Sequence, residues 1–377
     1  MRLKIYLVRV FLCLLSLFFF NEFLIYYLVL WQCKWPEISP EHNGTERPAS
    51  VKVMLLADTH LLGPFQGHWY DKLRREWQMH RAFQSALTIF TPELIFILGD
   101  VFDEGKWVND QQYKEYLDRY FRIFNTHGTK SKLISIVGNH DIGFHYAAHP
   151  YLTERFYRTM NSSGVQLFTF KNVHFITINS IAMEGDGCQL CEGAERELIR
   201  ISYQLECARG VGNCEKIPKI GPYSRPIVLQ HYPFYRASDK ECHEKDSELI
   251  ERFREGWEVL SKDATNMINK LLKPRVGFSG HSHHYCHLTN RLMKIEEYTL
   301  ASFSWRNKNN PSFLLTEFTD SHYWISKCDM PKESTVINLY IVGAFLALIV
   351  PCIRLSQIIK KVKHSLNLGN KRNKAKT

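Results

Sequence analysis

Five short, largely apolar runs in this chain each stop at a cluster of Asp, Asn, His and Gly, and that pattern constrains the fold more than any other feature. Residues 52–57 stop at Asp58-Thr59-His60, and residues 94–98 at Gly99-Asp100-Val101-Phe102-Asp103-Glu104-Gly105. Residues 133–137 stop at Gly138-Asn139-His140-Asp141, residues 227–230 at His231, and residues 275–279 at Gly280-His281-Ser282-His283. A short apolar run bounded by turn formers reads as a buried strand, and the polar cluster after it as a loop. Residues 69–90 and 110–126 mix apolar and charged side chains at helical spacing, which predicts helices between the strands. Strands alternating with helices give an α/β layered domain, with functional loops at the carboxyl ends of the strands. Further strand candidates are 166–170 and 173–179, joined as a hairpin, and 296–300, 313–318 and 323–326, which close the domain. Residues 185–220 read as an irregular, Cys-rich insertion. With 377 residues and 45% hydrophobic content, the chain can bury one core of about 250–300 residues.

The clusters carry the donors of a metal centre. Two divalent cations about 3.5–4 Å apart need a shared carboxylate and mixed oxygen and imidazole ligands. Asp58 and His60 alternate along a strand end, so both reach one ion only if the backbone turns there. Asp100 sits at a Gly-Asp turn suited to a bridging carboxylate. Asn139 offers a carbonyl oxygen, and His231, His281 and His283 complete the set. Any single His is more often structural than ligating, and His68, His80, His127, His174 and His322 are left as such. His284 and His287 read as rim residues. His145 and His149 read first as surface residues, with substrate contact as the alternative.

Two apolar segments lie outside this pattern, at residues 10–31 and 335–353, each near the roughly 20 residues that cross a bilayer as a helix. The first is long and bulky and lacks a small-x-small site after it, which favours an uncleaved anchor over a signal peptide. Residues 354–377 hold eight Lys or Arg and no acid. Together with residues 1–32 they account for the whole formal charge of +10. The basic balance is therefore a positive-inside signal and not a nucleic-acid one. It predicts a cytoplasmic N-terminus (1–9), a lumenal linker (32–50), a lumenal domain (51–330) and a cytoplasmic basic tail (354–377). Asn43 and Asn161 head glycosylation sequons, consistent with a lumenal domain. Cys188, Cys191, Cys207 and Cys214 read as a disulfide-braced insertion, with a zinc site as the alternative.

In order and spacing the clusters resemble those of the calcineurin-like metallophosphoesterases, over residues 52–318. That resemblance implies a four-layer αββα sandwich, here flanked by two transmembrane helices. It implies one metal on Asp58, His60, Asp100 and His283, and a second on Asp100, Asn139, His231 and His281. His140 would be the general acid, held beside the site by Asp141, and Asp103 a carboxylate behind the ligands. The protein Ser/Thr phosphatases of the family carry Arg where this chain has Glu104 and Glu where it has Asp141. Purple acid phosphatases carry a ligating Tyr where Phe102-Asp103 stand. With its flanking apolar segments the chain is similar to the phosphodiesterases that remodel GPI anchors. That similarity implies removal of an ethanolamine phosphate branch from a GPI mannose, with two divalent ions taken as Mn2+. It implies GPI-anchored proteins as substrate, membrane lipid and ER-export cargo machinery as surroundings, and no nucleic acid. It also implies residence in ER exit sites, the ER–Golgi intermediate compartment and the Golgi. The alternatives are a phosphoesterase for another phospholipid or nucleotide diester, and a sorting receptor. The intact donor set argues against a pure receptor.

Overall fold

The structure is a computed structural model that describes residues 2–37, 49–242 and 252–349, with residues 356, 357 and 360. The chain divides into two compact units, Val29–Met330 and the two ends, Met1–Leu28 with Pro331–Thr377.

In the end unit, α1 (Arg2–Phe19) continues through a π turn (Phe20–Leu24) into α2 (Ile25–Leu30). Lys4–Leu30 has 27 residues and a mean hydropathy of 2.0. It is long and apolar enough to cross a bilayer, at roughly 1.5 Å per residue against about 30 Å of hydrocarbon. The second expected span is a shorter apolar helix over its described part, Glu333–Ile349, and residues 350–353 lie outside the described residues. The two helices face each other in opposite directions. Tyr6 donates to the Leu348 carbonyl, Gly343 lies against the Leu17 side chain, and Tyr340 donates to Glu22. The one acid in the first apolar segment is thus paired by the second.

The Val29–Met330 unit holds eleven strands among the described residues. They are β1 (Val51–Leu56), β2 (Leu94–Leu98), β3 (Lys132–Ile136), β4 (Val165–Phe170), β5 (Val173–Ile178), β6 (Ile227–Gln230), β7 (Val276–Ser279), β8 (Cys286–Asn290), β9 (Ile295–Thr299), β10 (Ser312–Phe318) and β11 (Tyr323–Asp329). They form two mixed sheets, ordered β11-β10-β1-β2-β3 and β4-β5-β6-β7-β9-β8. β1, β2 and β3 run parallel, as do β5, β6, β7 and β9. Strands such as Leu94–Leu98, buried at every residue, need cover on both faces, as parallel strands do. The sheets pack face to face through Val53, Leu55, Phe96 and Leu98 on one side and Phe175, Leu229, Val276 and Phe278 on the other.

Helices cover the outer faces. α3 (Trp69–Phe90) packs on α4 (Asp110–Ile123), and Tyr120 of α4 bonds Ser135 of β3. α5 (Asn139–Ile142) and α6 (Pro150–Met160) pack together, while α7 (Gln189–Ala208) lies against β4 and α8 (Lys262–Leu272). The Cys-rich segment is therefore a 20-residue helix over much of its length, not irregular as expected. Its charged residues pair along the helix, Arg196 with Glu192 and Arg200 with Glu197, while Cys191, Leu198, Ile201 and Leu205 are buried. Cys207–Cys214 closes its end, Cys242–Cys286 braces β8, and Cys33–Cys328 ties together the two ends of the unit. Asn161 is exposed at the end of α6, and Asn43 lies outside the described residues.

Candidate metal centre

The loops after β1, β2, β3, β6 and β7 bring the seven expected ligands together, and the backbone bends sharply to do so. Asp58, His60, Asp100, His281 and His283 have φ of 52°, 43°, 46°, 75° and 61°. Left-handed backbone at such residues costs roughly 1–3 kcal/mol each and persists only where the surroundings enforce it. The turn required at Asp58 and His60 is thus present. Backbone bonds from His60 to Asp100, Leu61 to Val101 and Asp103 to Leu61 lock the first two loops together. Close packing explains two motif glycines: a Cβ on Gly138 would lie 2.2 Å from Asp100 Oδ1, and one on Gly99 would lie 2.4 Å from His231 Nδ1.

Hydrogen bonds fix the imidazole orientations. His60 Nδ1 pairs with Asp103 Oδ1 at 2.9 Å, leaving Nε2 to face Asp100 Oδ2 at 3.5 Å and His283 Nε2 at 3.2 Å. His231 Nδ1 donates to the Leu98 carbonyl at 2.9 Å. Its Nε2 then faces Asn139 Oδ1 at 3.0 Å, Asp100 Oδ2 at 3.3 Å and His281 Nδ1 at 3.2 Å. Once His231 Nε2 gives up its proton these are acceptors pointed at acceptors, an arrangement that a metal cation satisfies. Two groups of donors result, one of Asp58, His60, Asp100 and His283 and one of Asp100, His231 and His281. Asn139 joins the second through its contact with His231. Asp100 Oδ2 belongs to both groups and is buried without a hydrogen-bond partner among the described residues. Asp100 Oδ1 is already engaged by the His140 amide at 2.8 Å. The residues therefore fit two metal ions sharing the Asp100 carboxylate.

Electrostatics agree. Burial pushes the Asp58 carboxyl up to about 7. Burial also opposes charge on Asp100, but His231 and His140 hold its carboxyl well below the usual range. Burial opposes charge on His231 too, yet Asp100 and Asp58 lift it to about 9. Burial and His231 push His281 down to about 3. The two carboxylates thus favour positive charge at His231, the same preference that would draw a cation between them.

His140 and His283 are partly open to solvent, their side chains 31% and 29% exposed. His140 is held through Nδ1, which bonds the Asp103 carbonyl at 2.7 Å. The support expected from Asp141 is therefore corrected: its carboxylate accepts from the amides of Val101, Phe102 and Gly138 and shapes the loops instead. Asp103 stands behind the ligands, bonding His60 and also Arg306. Glu104 is buried and accepts from the Phe65 and Gln66 amides, so it anchors the loop after His60. His284 bonds the Ser282 carbonyl and Asp239, His287 pairs with Glu296, and His149 caps α6. None of these three joins the donor groups around Asp100.

Several neighbours carry no sequence signal. Lys106 feels Asp100, Asp103 and Asp141, while burial lowers its pKa. Arg306 lies at the Asp103 side, and Ser302 donates to the Asp58 carbonyl at 2.7 Å. Phe144, Tyr146 and Trp257 stack on one another, with centroids 4.7–6.2 Å apart. The backbone of Trp257 also bonds the His281 ring. Only proximity in space joins these residues to the clusters, though Lys106 directly follows one.

The family of calcineurin-like phosphoesterases matches residues 51–285. A metallophosphoesterase 1 homolog from Drosophila melanogaster is 48% identical over 362 residues, covering 96% of each chain. Metallophosphoesterase 1 of Rattus norvegicus is 45% identical, covering 92% of this chain and 89% of that one. Among solved structures, a dimetal phosphatase from Danio rerio aligns at 13% identity with a TM-score of 0.46, over 75% of this chain and 98% of that one.

Proposed function

The chain belongs to the calcineurin-like phosphoesterase family and is a metal-dependent phosphoesterase; on that premise we propose that it is a membrane-anchored phosphodiesterase that removes ethanolamine phosphate from a mannose of GPI anchors. The observation that carries the chemistry is Asp100 Oδ2, shared by two donor groups and satisfied by neither alone. Bound divalent ions supply Lewis acidity and hydroxide near neutral pH. The mixed carboxylate, amide and imidazole donors, without sulfur, suit manganese.

The protein's residues do the rest. Lys106 and Arg306 flank the opening and attract the phosphodiester anion. His140, its Nδ1 committed to the Asp103 carbonyl, directs Nε2 outward and delivers a proton to the leaving alkoxide. Burial lowers the His140 pKa while Asp100 raises it, and the bound phosphate anion adds to the second effect. Phe144, Tyr146 and Trp257 offer flat apolar surface beside the proton donor, suited to the face of a sugar. Resemblance to metallophosphoesterase 1 proteins, and an apolar helix at the amino end, support a glycolipid substrate held at a membrane. In this reading the shorter helix also crosses the membrane, both ends are cytoplasmic, and the domain faces the lumen from ER exit sites to the Golgi. Cargo awaiting ER export is then the protein-bearing partner.

The test is to incubate purified full-length protein and Mn2+ with GPI carrying the ethanolamine phosphate branch, then weigh the glycan. Loss of one ethanolamine phosphate supports the reading. An intact glycan, with turnover of a nucleotide or phospholipid diester instead, rejects the GPI assignment and keeps the phosphodiesterase.

A further inference from the structure

A second set of metal donors lies apart from the dimetal centre, where the loop after α5 meets the amino end of α7. The ligand atoms of His145, Asp186, Cys188 and Cys191 all lie within 4.8 Å of one another. His145 Nδ1 donates to the Ile181 carbonyl at 3.0 Å, so Nε2 carries the lone pair. That nitrogen faces Asp186 Oδ2 at 2.8 Å, while Asp186 Oδ1 accepts from the Cys188 amide at 3.0 Å. The Cys188 sulfur caps α7, accepting from the Cys191 amide at 3.1 Å, and lies 2.6 Å from the buried Cys191 sulfur, a separation that one tetrahedral ion with Zn–S of about 2.3 Å would widen to about 3.8 Å. An imidazole fixed by a backbone carbonyl is the usual way a metal-bound His is oriented. Cys-x-x-Cys spacing lets two sulfurs reach one ion.

The other cysteines sharpen the assignment. Cys33, Cys207, Cys214, Cys242, Cys286 and Cys328 pair as three disulfides. In the Val29–Met330 unit, Cys188 and Cys191 are the described cysteines left unbonded. Because Cys207 and Cys214 join each other, they are not ligands for the pair.

We propose that His145, Asp186, Cys188 and Cys191 form a tetrahedral site for a structural zinc ion. Two thiolates and an imidazole favour zinc over manganese, so this ion differs from those of the dimetal centre. The three anionic donors leave a net negative site, which the amino end of α7 offsets. The consequence is mechanical. His145 stands between Phe144 and Tyr146, so the zinc would pin the aromatic rim and the loop following His140 onto α7.

The rival use of these four residues is a Cys188–Cys191 disulfide beside a His145–Asp186 ion pair. Cobalt substitution of the full-length protein separates them, because the dimetal centre contains no sulfur. Sulfur-to-cobalt charge-transfer absorption is expected in the wild type and absent in C188S/C191S. Metal analysis should show that the double variant loses one equivalent of zinc. No charge-transfer band in the wild type, or a Cys188–Cys191 cross-linked peptide in a non-reduced digest, would overturn the proposal. The wild-type spectrum and peptide map decide even if the double variant fails to fold.

Discussion

Holding metal and transferring a proton fall to different side chains. Asp100→Asn removes one anionic oxygen from the shared position and should abolish the second metal and nearly all turnover; metal analysis with activity assays checks both. His140→Ala leaves every expected ligand in place and should keep metal while lowering kcat by roughly 10²–10⁴-fold. Unchanged kcat would remove His140 from the mechanism. Protonation gives a further prediction. Metal binding must displace the proton from His231, lifted to about 9, and keep Asp58, raised to about 7, ionised. Metal affinity should therefore rise with pH, by up to roughly tenfold per unit below about 9 for the His231 proton. Manganese titrations at several pH values would show it, and an affinity independent of pH would refute the protonated His231. The ligands were legible in the sequence because each ends a strand. The hold on His140 was not, because its partner is the backbone carbonyl of Asp103, to which any residue type contributes equally.

At the element scale, the loops matter more than the strands that carry them. Arg155 of α6 is buried and donates to the carbonyls of Gly105 and Val108, and it stacks on Tyr113. It therefore clamps the loop bearing Lys106. Arg155→Ala leaves those carbonyls without their donor and should destabilise the domain by about 2–4 kcal/mol, read as a lower denaturation midpoint. Strands β1, β2, β6 and β7 were legible because a buried parallel strand is a near-continuous apolar run. α7 was hidden because its cysteines and Gly193, in its second turn, punctuate a charged sequence, and its helical stripe emerges only against β4 and α8. β8 alternates buried and exposed residues but begins just three residues after His283, so the metal motif masks it.

At the scale of the whole molecule, Cys33–Cys328 joins the ends of the catalytic unit, their Cα atoms 5.5 Å apart. The two ends of that unit are therefore held side by side. In the proposed topology Asn161 is lumenal, so glycosidase treatment should increase gel mobility, and the shift should shrink in Asn161→Gln. The charge pattern of the sequence only predicts an orientation, and the pairing of Glu22 with Tyr340 needed the folded chain. The central claim is that one carboxylate is shared by two ions. Electron paramagnetic resonance of the manganese-loaded protein tests it most directly, because zinc bound elsewhere is silent. An exchange-coupled manganese pair is expected in the wild type, collapsing to the spectrum of isolated ions in Asp100→Asn. A fully loaded wild type showing only isolated ions would contradict it.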